Sequence, residues 1–272
     1  MKKLLTSLVL FAFATHLFAQ DGENDLKNFR FGLLAVPSVN WYKPDDAKKF
    51  AKNGSKLGFG WGLQMEFRLN SLISLATGLQ VNYDRGTLTF TDTAEYFYDS
   101  KNSTVLENSN ADTVGSTNWN KLNNFYKLNN RYYKTTYVLL PLYLKMKTKE
   151  IGAMTYYGEF GLNTSIRIKN KSKDNVTNLS NKTTSDLADL NMTDDMNILK
   201  LGLHIGGGAE YNLSGSTSLF FGLSYNLGFT NVLKKNSKYL FKEDRTVSPY
   251  SKTVTVQNAV ANNFALTLGI LF

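Results

Sequence analysis

The chain has 272 residues, 42% of them hydrophobic, with 15 tyrosines, 18 phenylalanines and a formal charge of +9; it is too apolar and too aromatic to be a disordered chain. It has no cysteine, so neither a disulfide framework nor a thiol-ligated metal holds it together. Beyond the N-terminus no stretch offers about 18 continuous apolar residues, which excludes a helical membrane protein.

Met1 to Gln20 reads as a secretory signal. Lys2 and Lys3 form a basic start, Leu4 to Phe18 is mostly apolar, and Ala19 closes the segment; the run is too short and wrongly flanked for a transmembrane helix. The expected organisation is a signal peptide over 1–19, a periplasmic N-terminal segment over 20–28 and an outer-membrane β-barrel domain over 29–272. Cleavage takes away Lys2 and Lys3 and lowers the charge from +9 to +7.

The first alternating run, Phe29 to Trp41, sets Phe29, Phe31, Leu33, Ala35, Val39 and Trp41 on one face and Arg30, Gly32, Ser38 and Asn40 on the other. Leu57 to Leu69 follows, with Leu57, Phe59, Trp61, Leu63, Met65, Phe67 and Leu69 against Gly58, Gly60, Gly62, Gln64, Glu66 and Arg68. Such strict alternation is a strand pattern. It outlasts the roughly five or six residues usual in soluble sheets and suits the roughly 9–11 that a tilted membrane strand needs. A two-residue turn at Asn70-Ser71 leads into Leu72 to Asp84, which predicts a hairpin.

Tyr132 to Lys147 sets Val138, Leu140, Leu142, Leu144 and Met146 against Tyr137, Leu139, Pro141, Tyr143, Lys145 and Lys147. Proline in a paired strand loses a ladder donor, so Pro141 predicts a bulge or a local irregularity. Met154 to Ile168, Ile198 to Leu213, Thr217 to Thr230 and Asn263 to Phe272 repeat the alternation, placing Glu159, Arg167, Lys200, His204 and Glu210 on the polar face. The connections alternate short (70–71, 148–153, 214–216) with long and polar (42–56, 85–131, 169–197, 231–262). Short periplasmic turns and longer extracellular loops are the rule for outer-membrane barrels. The fold expected is therefore all-β: an eight-stranded antiparallel up-and-down transmembrane β-barrel in the outer membrane, with both termini in the periplasm. Aromatics gather at both rims of its outer wall, Phe29, Phe67 and Phe272 at one and Trp41, Trp61 and Phe264 at the other, as membrane interfaces favour.

Three features carry a resemblance. Tyr137 to Lys147, YVLLPLYLKMK, is similar to the Leu-x-Ile-Pro-Leu-Leu-Leu-Lys strand of the PorT-like outer-membrane β-barrel family of the Bacteroidota; the Ala19-Gln20 junction resembles that family's signal cleavage; and Phe272 stands as the terminal aromatic read by barrel-assembly machinery. The resemblance implies a porin-like envelope barrel. Because the family includes a component of the type IX secretion apparatus, it also implies membership in an envelope complex.

An eight-stranded barrel is just wide enough for side chains to fill it. Arg30, Glu66, Arg68, Lys145, Glu159, Arg167, His204 and Glu210 are expected to pair inside as a polar network, since unpaired charge there is very costly. The inward glycines leave room for Tyr137, Tyr143, Tyr157 and Arg167. Two alternatives stay open: a narrow channel, and a lipid A-modifying hydrolase in which His204 works with Glu159 and Ser165, types that a Ser-His-acid site would need within hydrogen-bond reach. No catalytic, cofactor or metal site is expected. Asp186, Asp189, Asp194 and Asp195 do not follow calcium-loop spacing.

Lys234, Lys235, Lys238, Lys242, Arg245 and Lys252 outnumber Glu243 and Asp244 in the last long loop. At an outer-leaflet surface such a patch meets lipopolysaccharide phosphates; nucleic acid is not an expected partner. The loop 85–131 has balanced charge and carries Tyr96, Phe97, Tyr98, Trp119, Phe125 and Tyr126. It reads either as a protein or glycan contact or as a hairpin continuing the adjoining strands. Asp92-Thr93-Ala94 and Asp112-Thr113-Val114 resemble an Asp-Ser/Thr-aliphatic O-glycosylation motif.

Overall fold

A computed structural model describes residues 28–46, 48–107, 125–244 and 251–272. The signal segment, Asp112-Thr113-Val114, Trp119 and Arg245 lie outside the described residues. In chain order the strands are β1 (Phe29–Pro44), β2 (Phe50–Lys52), β3 (Lys56–Arg68), β4 (Ile73–Phe90), β5 (Glu95–Asp99), β6 (Thr104–Val105) and β7 (Phe125–Lys147). They continue with β8 (Met154–Asn178), β9 (Thr184–Leu190), β10 (Leu199–Ser214), β11 (Thr217–Gly228), β12 (Asn236–Asp244), β13 (Ser251–Val256) and β14 (Ala259–Leu271). A single 3-10 turn, Thr193–Asp195, is the helical element among the described residues. The chain is all-β.

Eight strands pair antiparallel in a closed ring, β1–β3–β4–β7–β8–β10–β11–β14 and back to β1. The ring has the inverted polarity expected from the alternation. On β3, Leu57, Phe59, Trp61 and Leu63 are exposed on one side while Gly60, Gly62, Gln64 and Glu66 are buried on the other. Leu140, Leu142, Leu144 and Met146 on β7 and Phe160, Leu162 and Ile166 on β8 continue the exposed apolar wall. A face this large and apolar needs a non-aqueous neighbour.

The short connections, 69–72, 148–153 and 215–216, lie at one end of the ring. The turn expected at Asn70-Ser71 is wider, because the strands stop at Arg68 and Ile73. Asn70 Oδ1 accepts from the backbone N–H of Leu72 and of Ile73 at 2.8 Å each, the Asx-type bonding that favours Asn in turns. In the tight turn between β10 and β11, Gly215 has a φ of +58°, which glycine adopts without steric cost.

The other end departs from the expectation of long polar loops. β4, β7 and β8 run on past the apolar band to Phe90, Phe125 and Asn178, and the shorter strands pair with these extensions. In the loop 85–131 the adjoining strands continue above the membrane band, and Tyr96 and Phe97 of β5 stand opposite Tyr126 and Phe125 of β7. Tyr42, Leu88, Leu128, Tyr133 and Val176 from the ring pack with Tyr96, Met196, Leu233 and Leu240 from the connections into a buried apolar core. The long connections thus form a capping layer with a core of its own.

Pro141 produces no bulge. The β4–β7 ladder is interrupted between the pairs Thr77 with Leu142 and Gln80 with Leu139, and its register is unchanged across the gap. Thr77 Oγ1 donates to the Pro141 carbonyl at 2.8 Å. The register shifts fall elsewhere in β7–β8: Thr136 faces Lys169 but Tyr137 faces Arg167, and Leu128 faces Val176 but Asn130 faces Asn175. Ile168 and Asn129 are the extra residues, and each reverses which face the following side chains occupy.

Candidate functional site

The inward faces of β1, β3, β7, β8 and β10 deliver charge to one level near the short-turn end. Arg30 stands opposite Glu66, and Lys145 opposite Glu159, by strand register. Other contacts cross the lumen. Arg30 Nη2 lies 3.1 Å from Glu66 and 2.8 Å from Glu210. Lys145, with no exposed side-chain surface, reaches Glu210 at 2.6 Å, Glu66 at 3.5 Å and Glu159 at 3.7 Å. Lys147 pairs with Glu66 and lies 3.0 Å from Glu210. Three cations and three carboxylates balance, as buried charge requires. The Lys145 ammonium also sits 4.0 Å from the centroid of the Tyr157 ring, a further favourable cation contact.

His204 hangs from this cluster through Glu159, whose Oε2 is 3.5 Å from its Nε2. Its ring stacks on Tyr143 at a centroid distance of 3.8 Å. On the other side an amide chain fixes it. Asn226 donates to Asn263 at 2.6 Å and its Oδ1 accepts from Asn163 at 2.7 Å, so His204 Nδ1, 2.8 Å from the same oxygen, is the donor. Tyr143 donates to Asn163 Oδ1 at 2.5 Å. Ser165, by contrast, stands opposite Lys200 while His204 stands opposite Gly161. Four residues along a strand is about 13 Å, so serine and histidine are not brought into one catalytic arrangement.

The structure joins Arg30, Glu66, Lys145, Glu159, His204 and Glu210, and leaves out two residues expected with them. Arg68 sits at the strand end opposite Ser74, within electrostatic reach of Glu66 and Glu210 but without an ion pair inside 4.0 Å, and its Nη1 has no hydrogen-bond partner among the described residues. Arg167 lies next to the irregularity at Ile168, which turns its guanidinium to the backbone carbonyls of Asn197 at 3.3 Å and Met196 at 3.5 Å. Two further pairings lie outside the expected network. Lys147 shares the face of Lys145, so alternation already carried the signal. Asp84 and Lys200, both on inward positions, pair at 2.5 Å beneath Tyr137, whose ring centroid is 4.3 Å from the Lys200 ammonium.

Between the charged cluster and the Asp84–Lys200 pair lies a cavity of about 70 Å³ lined by Gln64, Gln80, Asn82, Asn163, His204 and Asn226. It has room for a few waters at most. The inward glycines do leave room for rings: a Cβ on Gly208 or Gly222 would come within 2.7 Å or 2.6 Å of the Tyr157 hydroxyl. Leu34, Phe220 and Leu271 add a small apolar cluster to the interior.

Among the described residues no three His, Asp or Glu side chains converge as a metal site. Asp186 and Asp189 pair with Lys173 and Lys171, Asp194 with Lys238, and Asp195 accepts from Ser237 and the Lys238 backbone. Phe272 sits at the short-turn rim, its N–H donating to the Phe31 carbonyl at 2.8 Å and its ring 5.6 Å from that of Phe31. In the capping layer, Thr93 of the Asp92-Thr93-Ala94 motif is half-buried and Ala94 fully buried.

A closed all-β ring with an apolar outside and a charged, filled inside defines a protein that lives in a bilayer. The chain belongs to the family of the outer membrane protein beta-barrel domain, whose model matches residues 18–234. Its place is accordingly the outer membrane. No curated protein matches the chain. Solved structures similar to it include Neisserial surface protein A (12% identity, 90% of this chain and 96% of that one, TM-score 0.39). Others are the outer membrane protein OprG of Pseudomonas aeruginosa (11% identity, 92% and 98%, TM-score 0.39) and a major outer membrane protein of Thermus thermophilus (15% identity, 90% and 99%, TM-score 0.39).

Proposed function

We propose that the chain is an eight-stranded, non-conducting transmembrane barrel of the PorT-like kind found in Bacteroidota, acting as a structural or interaction protein of the cell envelope. In this reading the leader is removed after Ala19, both termini and the short turns are periplasmic, and the capping layer faces outward. Lipopolysaccharide or an envelope complex, such as one for type IX secretion, meets the cap. Phe272 serves as the assembly signal.

The observation that carries the reading is the Lys145 cluster. A wholly buried ammonium held by three carboxylates in the lumen supports a non-conducting interior, because an eight-stranded ring is just wide enough for side chains to fill it. Function is then left to the outer surfaces. Planar-bilayer recordings of the folded protein are expected to show no conductance steps; discrete steps would overturn the reading. Its orientation is tested separately with single cysteines, since the chain has none of its own. Lys101→Cys in the cap should react with an impermeant maleimide on intact cells, and Ser71→Cys in a short turn should not. No catalytic role is assigned to His204, so His204→Ala should leave the lipid A mass profile unchanged.

A further inference from the structure

On the outer wall the apolar band ends at the same level on three neighbouring strands, where Val81 of β4 stands beside Val138 of β7, and Val138 beside Ile166 of β8. The next outward positions toward the cap are Tyr83, Thr136 and Lys169. The row above those is Arg85, Lys134 and Lys171, three cations directly opposite one another across adjacent strands. Like charges so placed repel, because opposite side chains leave the sheet only about 5 Å apart.

Little on the protein relieves this repulsion. Lys171 reaches Asp189 at 3.3 Å, both of them largely exposed, and Lys173 one row higher reaches Asp186 at 2.8 Å. Among the described residues no carboxylate lies within 4.0 Å of Arg85, Lys134 or Lys169. Arg85 donates only to the neighbouring Asp84 carbonyl, at 2.9 Å. Tyr132, beside the row, draws in one more cation: the ammonium groups of Lys56 and Lys134 lie 5.8 Å and 5.9 Å from its ring.

A row of this kind makes physical sense when an anion lies against it. We infer that Arg85, Lys134 and Lys171 form a binding site for the phosphate groups of an outer-leaflet glycolipid. The row stands one outward position beyond Tyr83, Thr136 and Lys169, which border the apolar wall, at the height where the headgroup of a lipid packed against Val138 and Ile166 would sit. Arginine offers a planar fork that matches phosphate oxygens and lysine a compact charge. The surface is open and not a pocket, so the acyl chains held along the wall supply the local concentration that a free anion lacks. The inference rests on the proposed orientation, with the cap in the outer leaflet, and assigns particular residues to the lipid contact.

The experiment titrates the folded protein in phosphatidylethanolamine nanodiscs with bisphosphorylated lipid A and reads bound copies by native mass spectrometry. Removing two cations with Arg85→Gln and Lys134→Gln should weaken binding about 25-fold, at roughly fivefold per charge near a membrane surface. Lys101→Gln with Lys48→Gln, an equal charge change at exposed positions of the cap, should leave it unchanged. Dephosphorylated lipid A should bind the unaltered protein as weakly as the double variant binds the phosphorylated form. Equal losses in the two double variants, or equal binding of dephosphorylated lipid A, would overturn the site. Inorganic phosphate displacing lipid A at comparable concentration would make it a free-anion site and overturn the lipid assignment. Heat-modified gel migration reports folding of each variant, and conductance by the unaltered protein would sink the non-conducting reading without touching this titration.

Discussion

Arg131 and Asp174 meet across β7 and β8 through two parallel hydrogen bonds, Nε to Oδ1 at 2.8 Å and Nη2 to Oδ2 at 2.7 Å, and neither side chain has any exposed surface. Tyr96 and Ser172 also donate to the carboxylate, each at 3.1 Å. Burial alone would lower the pKa of the guanidinium, yet the carboxylate beside it raises it above the ordinary arginine value. The pair bridges two strands of the ring, and the Tyr96 hydroxyl on its carboxylate ties it to the capping layer. Breaking a buried pair from one side costs about 3–5 kcal/mol. Asp174→Asn should therefore loosen the cap while leaving the membrane ring intact. Limited proteolysis of the folded protein is expected to cut the cap faster, with heat-modified migration retained. An unchanged digestion pattern would show that the pair does not hold the cap.

That pair also marks where the sequence stops being legible. Leu57 to Leu69 alternates without a break, so every residue falls on its face, and the membrane ring could be read strand by strand. Beyond Arg167 the extra residue Ile168 reverses the faces of β8. Above the membrane neither face needs to be wholly apolar, so Lys169 to Asn178 carried no alternation from which the reversal could be seen. Asp174 consequently looked like a loop residue. Glu66 and Lys145 were legible as inward charges, but their joint contact with Glu210 depends on ring closure, which local periodicity does not encode. The same holds for Arg68, whose face was right but which forms no ion pair within 4.0 Å among the described residues.

The Lys145 cluster makes a sharper energetic prediction. Lys145→Met leaves Glu66, Glu159 and Glu210 facing one another with one cation fewer. The stability of the folded form should fall by about 3–5 kcal/mol. Adding Glu210→Gln to Lys145→Met should recover part of that loss, because the pair then goes out together; a coupling on the order of 1–3 kcal/mol is expected for groups in one network. Urea unfolding in detergent, followed on unboiled gels, measures all three variants. Strict additivity would mean that Lys145 and Glu210 do not depend on each other.

Tyr157 ties the glycine-rich wall to that cluster. Its hydroxyl donates to the Phe221 carbonyl at 3.1 Å, directly over Gly208 and Gly222, while its ring lies under the Lys145 ammonium. In Gly222→Ala the new methyl would meet the hydroxyl at 2.6 Å and push the ring away from the ammonium. Overpacking of this sort costs about 1–3 kcal/mol. Tyr157→Phe removes the obstructing oxygen, so the two changes together should cost less than the sum of the two singly. The same urea titration decides it: a double variant as unstable as the sum would place the strain elsewhere.

The cap also contains a titratable clasp. Lys242 of β12 donates to Asp92 Oδ1 at 3.0 Å, and the Thr93 N–H donates to the same oxygen at 2.7 Å, fastening β12 to the connection between β4 and β5. The Lys242 hydrogen bond first, and the Thr93 N–H second, hold the Asp92 carboxyl below its ordinary value of 3.8. A carboxyl with a depressed folded pKa contributes stability that is fully present above the unfolded value. That contribution is lost as the pH falls through the folded one. The clasp should thus stay closed at neutral pH and open only in acid below 3.8. A carbon-13 titration of the Asp92 carboxyl in detergent micelles should give a midpoint under 3.8. In Lys242→Met the midpoint should rise only part of the way back, since the Thr93 N–H remains. A midpoint at or above 3.8 in the unaltered protein would mean that the clasp is not formed in solution.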